Sequence, residues 1–253
     1  MSPQLAVLID PNHLPATDKL IGVVEDIIRE KEERDSPVIF VGCSHDPGKA
    51  VKRTAAKLAD MGLGNRVVIF PGNPFQVSSD ASAILVPKLL NNNRRLIDLA
   101  LRVGLGYLHA KRLWAWLRKK PFPEQRPFGY VVLTSNSSAG RKLRARTLSD
   151  SEALGLVRAT GLPDKWWGVY LEAGSGAIDS PVAGRLELVR ATKELLRKNG
   201  NGTKLITGGG ITTREEIKAL FNAGADVVVV STVLERASDP KSLLKEFLEA
   251  VPN

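Results

Sequence analysis

Cysteine occurs once in these 253 residues, at Cys43, which excludes an intramolecular disulfide and leaves no thiol cluster for zinc. No apolar run approaches the ~18 residues that a membrane-spanning helix needs. The first residues, Met1-Ser-Pro-Gln, lack the basic-then-apolar pattern of a secretory signal, so a cytoplasmic protein is expected. A glycine fingerprint after the first strand-like segment is also missing, which argues against an open dinucleotide-binding sheet. What the chain has in excess is positive charge, +9 at neutral pH. A nucleic-acid binder would cluster its cations with interleaved aromatics. The densest cluster is Lys111, Arg112, Arg118, Lys119, Lys120 and Arg126, with Trp114 and Trp116 among them. Such a patch suits anionic lipid headgroups or nucleic acid. The solvated face of a helix beside a subunit contact is the preferred reading, so a homo-oligomer is expected and a nucleic-acid partner is not.

Strand-like and helix-like segments alternate along the chain. The strands read as Leu5 to Ile9, Pro37 to Val41, Arg66 to Phe70, Ala83 to Val86, Gly129 to Leu133, Trp167 to Glu172, Lys204 to Thr207 and Asp226 to Val230. Helical patterns cover Leu20 to Arg34, Ala50 to Met61, Arg94 to Leu117, Ser149 to Ala159, Pro181 to Lys198, Thr213 to Ala223 and Lys241 to Val251. Pro121 to Pro127 reads as a proline-rich loop and Thr134 to Arg146 as a polar one. Between the third and fourth strands only Phe75 to Ser79 is left, too little for a helix. Short strands that are apolar on both faces, each followed by a helix, ask for a parallel sheet. Eight such units in a chain of this length point to a single-domain (β/α)8 barrel spanning 1–253, with its third helix replaced by a short segment.

In a barrel the loops after the strands share one face. Tyr170-Leu171-Glu172-Ala173-Gly174-Ser175-Gly176 ends the sixth strand, and its glycines let successive N–H groups converge on a small space suited to phosphate. A second cluster, Gly208-Gly209-Gly210, ends the seventh strand, and late loops are where barrels commonly bind phosphate. Asp10 and Ser44, at the ends of neighbouring strands, form a hard-oxygen pair suited to Mg²⁺. The site then holds two anionic groups, one on metal and one on backbone N–H groups. No His, Cys or Lys among these residues stands out as a nucleophile, so transfer between two phosphorylated substrates fits better than hydrolysis.

The stretch Tyr-Leu-Glu-Ala-Gly-Ser-Gly-Ala, residues 170–177, resembles the hallmark of the archaeal geranylgeranylglyceryl phosphate synthases, a family of prenyltransferase barrels. Leu8-Ile-Asp-Pro11, Val41-Gly-Cys-Ser44, Phe70-Pro-Gly-Asn73, Leu89-Leu-Asn91, Glu187-Leu-Val-Arg190, Gly208-Gly-Gly-Ile211 and Glu235 extend the resemblance nearly end to end, and the missing third helix is a family trait. The resemblance implies transfer of a geranylgeranyl group from geranylgeranyl diphosphate to the terminal hydroxyl of sn-glycerol 1-phosphate, forming the first ether bond of archaeal lipids. It implies Asp10 and Ser44 for Mg²⁺, and the run Tyr170, Leu171, Glu172, Ala173, Gly174, Ser175 and Gly176 for glycerol phosphate. Glu172 would lie near the glycerol hydroxyls, with Tyr170 beside it in the catalytic pair. Gly208, Gly209, Ser231 and Thr232 would hold the phosphate. Phe75, Val77, Ile84 and Val86 are expected as walls of an apolar groove for the prenyl tail, and a peripheral membrane contact would suit such a substrate and product.

Four features depart from the family pattern. His13 stands where Lys is usual, Cys43 where Gly is, and Ser231-Thr232 where Gly-Asn is. The segment after the fifth strand carries Arg141, Lys142, Arg144 and Arg146 instead of a Pro-Gly-rich sequence. The reading is a divergent branch with the same activity. A longer, heptaprenyl donor is the rival within the family, and a phosphate-binding barrel without prenyl transfer is the rival outside it. Another phosphate-binding isomerase or lyase would need an acid–base pair on strand ends, and besides Asp10 and Glu172 none stands out.

Overall fold

A computed structural model of the chain describes residues 2–13, 15–31, 36–43, 48–73, 75–91, 110–113, 115–116, 122–174, 181–199 and 202–252. Its eight strands are β1 (Gln4–Ile9), β2 (Val38–Val41), β3 (Val67–Ile69), β4 (Ala83–Leu89), β5 (Glu124–Val132), β6 (Gly168–Glu172), β7 (Lys204–Gly208) and β8 (Val227–Val230). They pair in sequence order, every pair parallel, and β8 closes on β1 with Gln4 opposite Val227. The helices are α1 (Ala16–Glu30), α2 (Lys49–Asp60), α3 (Ser138–Leu143), α4 (Asp150–Ala159), α5 (Leu186–Lys198), α6 (Arg214–Asn222), α7 (Thr232–Arg236) and α8 (Pro240–Leu248). Residues 110–113 and 115–116 are also helical; the rest of the helix expected from Arg94, with Trp114, lies outside the described residues. Among the described residues no helix is long and apolar enough to cross a membrane.

The alternation of side chains along each strand makes two cores. Phe40, Val68, Leu85, Phe128, Tyr130, Tyr170, Ile206 and Val229 fill the barrel, while their neighbours Ile39, Val41, Ile69, Ile84, Val131, Leu171 and Val228 pack outward against the helices. This double burial is why the strands read as continuous apolar runs. Ile84 and Val86, expected as groove walls, belong to the outward layer with Val77, and Phe75 is exposed.

Several boundaries moved. The supposed loop from Pro121 to Pro127 contributes Glu124 to Pro127 to β5, paired with β4 from Ala83 opposite Glu124. Pro127 is tolerated because the ladder to β6 begins at Phe128, while the Pro127 carbonyl accepts the N–H of Trp167 at 2.7 Å. The polar segment after β5 contains α3, capped by Ser137, whose hydroxyl accepts the N–H of Gly140. Pro181 opens a 3₁₀ turn, Val182–Arg185, ahead of α5. The capping box at Ser149 and Glu152 forms as the sequence suggests. Between β3 and β4 none of the described residues is helical.

Gly42 marks a close crossing, because a Cβ there would lie 1.8 Å from the carbonyl oxygen of Phe70. Gly42→Ala should therefore destabilise the protein by at least about 2 kcal/mol in urea unfolding. Gly22, inside α1, has no atom within 4 Å of such a Cβ. Gly22→Ala should stabilise by about 0.5–1 kcal/mol through helix propensity. Equal effects of the two changes would contradict the packing described for β2 and β3.

Candidate active site

Tyr170 and Glu172 stand two residues apart on β6, so both point into the barrel. Tyr170 is 1% exposed, and its ring packs 5.5 Å from that of Tyr130 and 5.6 Å from that of Phe70. Its hydroxyl and the N–H of Gly174 both favour the ionised Glu172 carboxylate. Glu172 is 7% exposed. Burial raises its pKa, and these two groups pull back without cancelling that effect. Burial, followed by the charge of Glu172, pushes the Tyr130 and Tyr170 phenols well above their usual range. Both tyrosines therefore stay protonated.

Glycine makes this arrangement possible. Gly208 is opposite Glu172 in the ladder, and a Cβ there would lie 2.4 Å from the Tyr170 hydroxyl. Gly209 has φ +99°, and a Cβ on it would meet Gly174 N at 2.2 Å and Glu172 Oε1 at 2.9 Å. Any side chain at either position would push the tyrosine or the carboxylate aside.

A cavity of about 320 Å³ opens above this pair, with Gly209, Gly210, Ser231, Thr232 and Arg236 on its walls beside Tyr170 and Glu172. Tyr170, Glu172, Gly209, Ser231 and Thr232 are thus brought together. Gly208 lies beneath the Tyr170 hydroxyl and is not among the residues lining the cavity. Leu171 and Ala173 need correction, since their side chains are fully buried in the strand–helix layer and only their backbone can serve a ligand. Ser175 and Gly176 lie outside the described residues. Ser231 has φ −149°, so the loop after β8 does not demand glycine there. Its hydroxyl donates to Glu235 Oε1 at 3.4 Å. Gly210, part of the second glycine cluster, lines the cavity as well. The sequence reading missed Arg236 and Tyr130. Arg236 reaches the cavity through α7, which is too short to leave a periodic signal.

On the adjoining rim, Asp10 follows β1. Its Oδ1 accepts the N–H of Asn12 at 2.9 Å, and its Oδ2 is 3.9 Å from His13 Nε2. His13 Nδ1 lies 2.9 Å from Glu235 Oε2. Burial opposes protonation of His13, but the hydrogen bond to Glu235 and the charges of Glu235 and Asp10 outweigh it and raise the pKa. Ser44 lies outside the described residues; Cys43 before it is buried. Among the described residues no group of three or more His, Cys, Asp or Glu side chains is arranged for a metal. Asp10 fits the sparser demands of Mg²⁺, which takes one or two protein carboxylates and completes its shell with water and phosphate oxygens.

The PcrB family model matches residues 5–251. The chain belongs to the PcrB family. Among curated relatives of this PcrB protein, the geranylgeranylglyceryl phosphate synthase of Pyrococcus horikoshii is 31% identical, over 98% of this chain and 89% of that protein. The synthase of Thermoplasma acidophilum is 30% identical, over 96% and 88%. A crystal structure of (S)-3-O-geranylgeranylglyceryl phosphate synthase from Thermoplasma acidophilum, in complex with its substrate sn-glycerol-1-phosphate, matches with a TM-score of 0.73 at 28% identity, covering 99% of this chain and 93% of that one. The family resemblance carried by the hallmark thus stands.

Removing the Tyr170 hydroxyl takes away a donor that favours ionised Glu172. Tyr170→Phe should therefore raise the Glu172 pKa further, measured by NMR of ¹³C-labelled glutamate carboxyls. An unchanged or lower value would contradict the pairing.

Proposed function

We propose that this protein transfers a geranylgeranyl group from geranylgeranyl diphosphate to the terminal hydroxyl of sn-glycerol 1-phosphate, as one Mg²⁺-dependent prenyltransferase barrel. The observation that supports this reading most is the buried Tyr170–Glu172 pair at the base of a cavity walled by Gly209, Gly210, Ser231 and Thr232. A carboxylate repels a phosphate, so its place here makes sense when it serves the hydroxyl end of a bound glycerol phosphate. Backbone N–H groups of Gly209 and Gly210, with the hydroxyl of Thr232, take the phosphate end. Arg236 adds a cation at the outer wall.

In the reaction the allylic C–O bond of the donor breaks, and its electron pair leaves with the diphosphate. The terminal hydroxyl oxygen of glycerol phosphate, held close, forms the new C–O bond. Glu172 accepts a hydrogen bond from that hydroxyl and takes its proton. The raised pKa makes it a stronger base than an ordinary carboxylate. Tyr170 keeps the carboxylate oriented. Mg²⁺, held by Asp10 and Ser44, would neutralise charge on the diphosphate. The prenyl tail needs an apolar route from the same mouth, and a peripheral membrane contact and a homo-oligomer are part of the proposal.

The test is a transfer assay with radiolabelled geranylgeranyl diphosphate and sn-glycerol 1-phosphate, with the product mass determined. A product carrying one geranylgeranyl group is expected. A product formed only with a longer donor would reassign the substrate, and no product with any prenyl donor would remove the activity.

Glu172→Gln should act in opposite directions on activity and stability. Loss of the base should lower kcat about 10²-fold or more, with a smaller change in KM for glycerol phosphate. Because burial raises the folded-state pKa above the unfolded value, the ionised carboxylate costs stability at neutral pH. The penalty fades as pH falls through the folded pKa and is gone below the unfolded one. Glu172→Gln should therefore be the more stable protein at neutral pH, and the gain should vanish near pH 4, as read from urea midpoints. Asp10→Asn should abolish most Mg²⁺-dependent transfer and leave glycerol phosphate binding, measured by calorimetry, nearly unchanged. Full transfer in excess chelator would remove the metal from the account.

A further inference from the structure

Tyr130 stands beside the base Glu172. It is opposite Tyr170 in the ladder between β5 and β6, two residues before the pair Val132 and Glu172, and it shares the barrel interior with Tyr170. Its ring lies 5.5 Å from that of Tyr170, 5.7 Å from Phe128 and 5.9 Å from Phe70, which it meets nearly edge-on at 88°. Three neighbours of this size fix the ring. The residue is 7% exposed, and a tyrosine so deeply buried normally pairs its hydroxyl. Among the described residues the Tyr130 hydroxyl has no hydrogen-bond partner. It is not sealed from solvent either, because the sealed and unpaired side-chain atoms among those residues are Gln125 Nε2, Thr192 Oγ1 and Thr207 Oγ1. An unpaired phenol that touches open space, within reach of the charge of Glu172, is a donor awaiting a ligand.

Two arguments choose the ligand atom. Tyr130 is not on the walls of the glycerol-phosphate cavity, although Tyr170 and Glu172 are, so it meets the reacting groups from outside that cavity. The attacking hydroxyl, moreover, spends an oxygen lone pair on the new C–O bond, and a donor placed on that oxygen would weaken the attack. The oxygen on the other side of the allylic carbon behaves in the opposite way. It takes the electron pair of the breaking C–O bond and gains negative charge, so a fixed donor there binds the transition state more strongly than the substrate. Burial, followed by the charge of Glu172, keeps the phenol protonated, which suits a group that donates and never accepts the proton. We propose that Tyr130 donates a hydrogen bond to the ester oxygen of the prenyl diphosphate as the C–O bond breaks, an assignment that rests on the prenyl transfer proposed above. The proton stays on Tyr130, and the proton of the glycerol hydroxyl goes to Glu172.

Tyr130→Phe keeps the ring contacts and removes only the hydroxyl. In the full-length protein it should lower kcat for transfer about 10²-fold and leave KM for glycerol phosphate unchanged. Calorimetry supplies a readout that does not depend on turnover. Inorganic pyrophosphate, titrated in the presence of Mg²⁺, carries the charge that the ester oxygen only acquires on cleavage, and Tyr130→Phe should bind it about tenfold more weakly. Geranylgeranyl S-thiolodiphosphate has sulfur, a weak acceptor, in place of the ester oxygen, and its affinity should barely change. Glycerol phosphate affinity, also unchanged, reports an intact barrel. Unchanged pyrophosphate affinity, an equal loss for the thiolo analogue, or an accompanying loss of glycerol phosphate binding would each overturn the assignment. Weaker pyrophosphate binding in Tyr130→Phe, with no prenyl transfer by the wild-type protein, would support the contact and remove the activity proposed above.

Discussion

A carboxylate held inside a barrel among aromatic rings is the constraint on which the rest of the site depends. Glu172 pays for its position with lost hydration, and what keeps it usable is a short set of contacts: the Tyr170 hydroxyl, the Gly174 N–H and the bare backbone of Gly209. Burial of this kind is a poor way to stabilise a fold and a good way to prepare a base. The glycine clusters answer the same need. They admit a large tyrosine and a carboxylate to the centre of the mouth, and Gly209 and Gly210 line the cavity beside them.

The barrel supplies that arrangement through its two cores. Residues of one parity lock the strands to the helices, and residues of the other stack Phe40, Phe70, Phe128, Tyr130 and Tyr170 about the axis. Each ring in this stack contacts others, as with Phe70 and Phe128 at 6.1 Å, so the Tyr170 hydroxyl has little freedom to leave Glu172. Rigidity at the base of the mouth contrasts with its rim, which is built from polar contacts such as Lys142 to Gly72 and His13 to Glu235.

Much of this was legible in the chain. The eight apolar runs announced strands buried on both faces, and the Gly208-Gly209-Gly210 run announced the turn after β7, because those patterns are local. The β5 boundary was hidden by Pro123 and Pro127, since proline reads as loop unless the position of its missing N–H in the ladder is known. The short helix α7 escaped because five residues carry no helical period, and Arg236 escaped with it. Leu171 and Ala173 were placed in the site by adjacency, whereas strand alternation turns them away. His13 could be read as a departure, but its partner Glu235 is 222 residues distant and only the closure of β8 on β1 brings them together.

The most direct test of the account is a crystal structure with sn-glycerol 1-phosphate bound. The account requires the phosphate on the backbone of Gly209 and at Thr232, and the glycerol hydroxyls within hydrogen-bond reach of Glu172. A phosphate held on the Asp10 side of the mouth, or hydroxyls that turn away from Glu172, would contradict it.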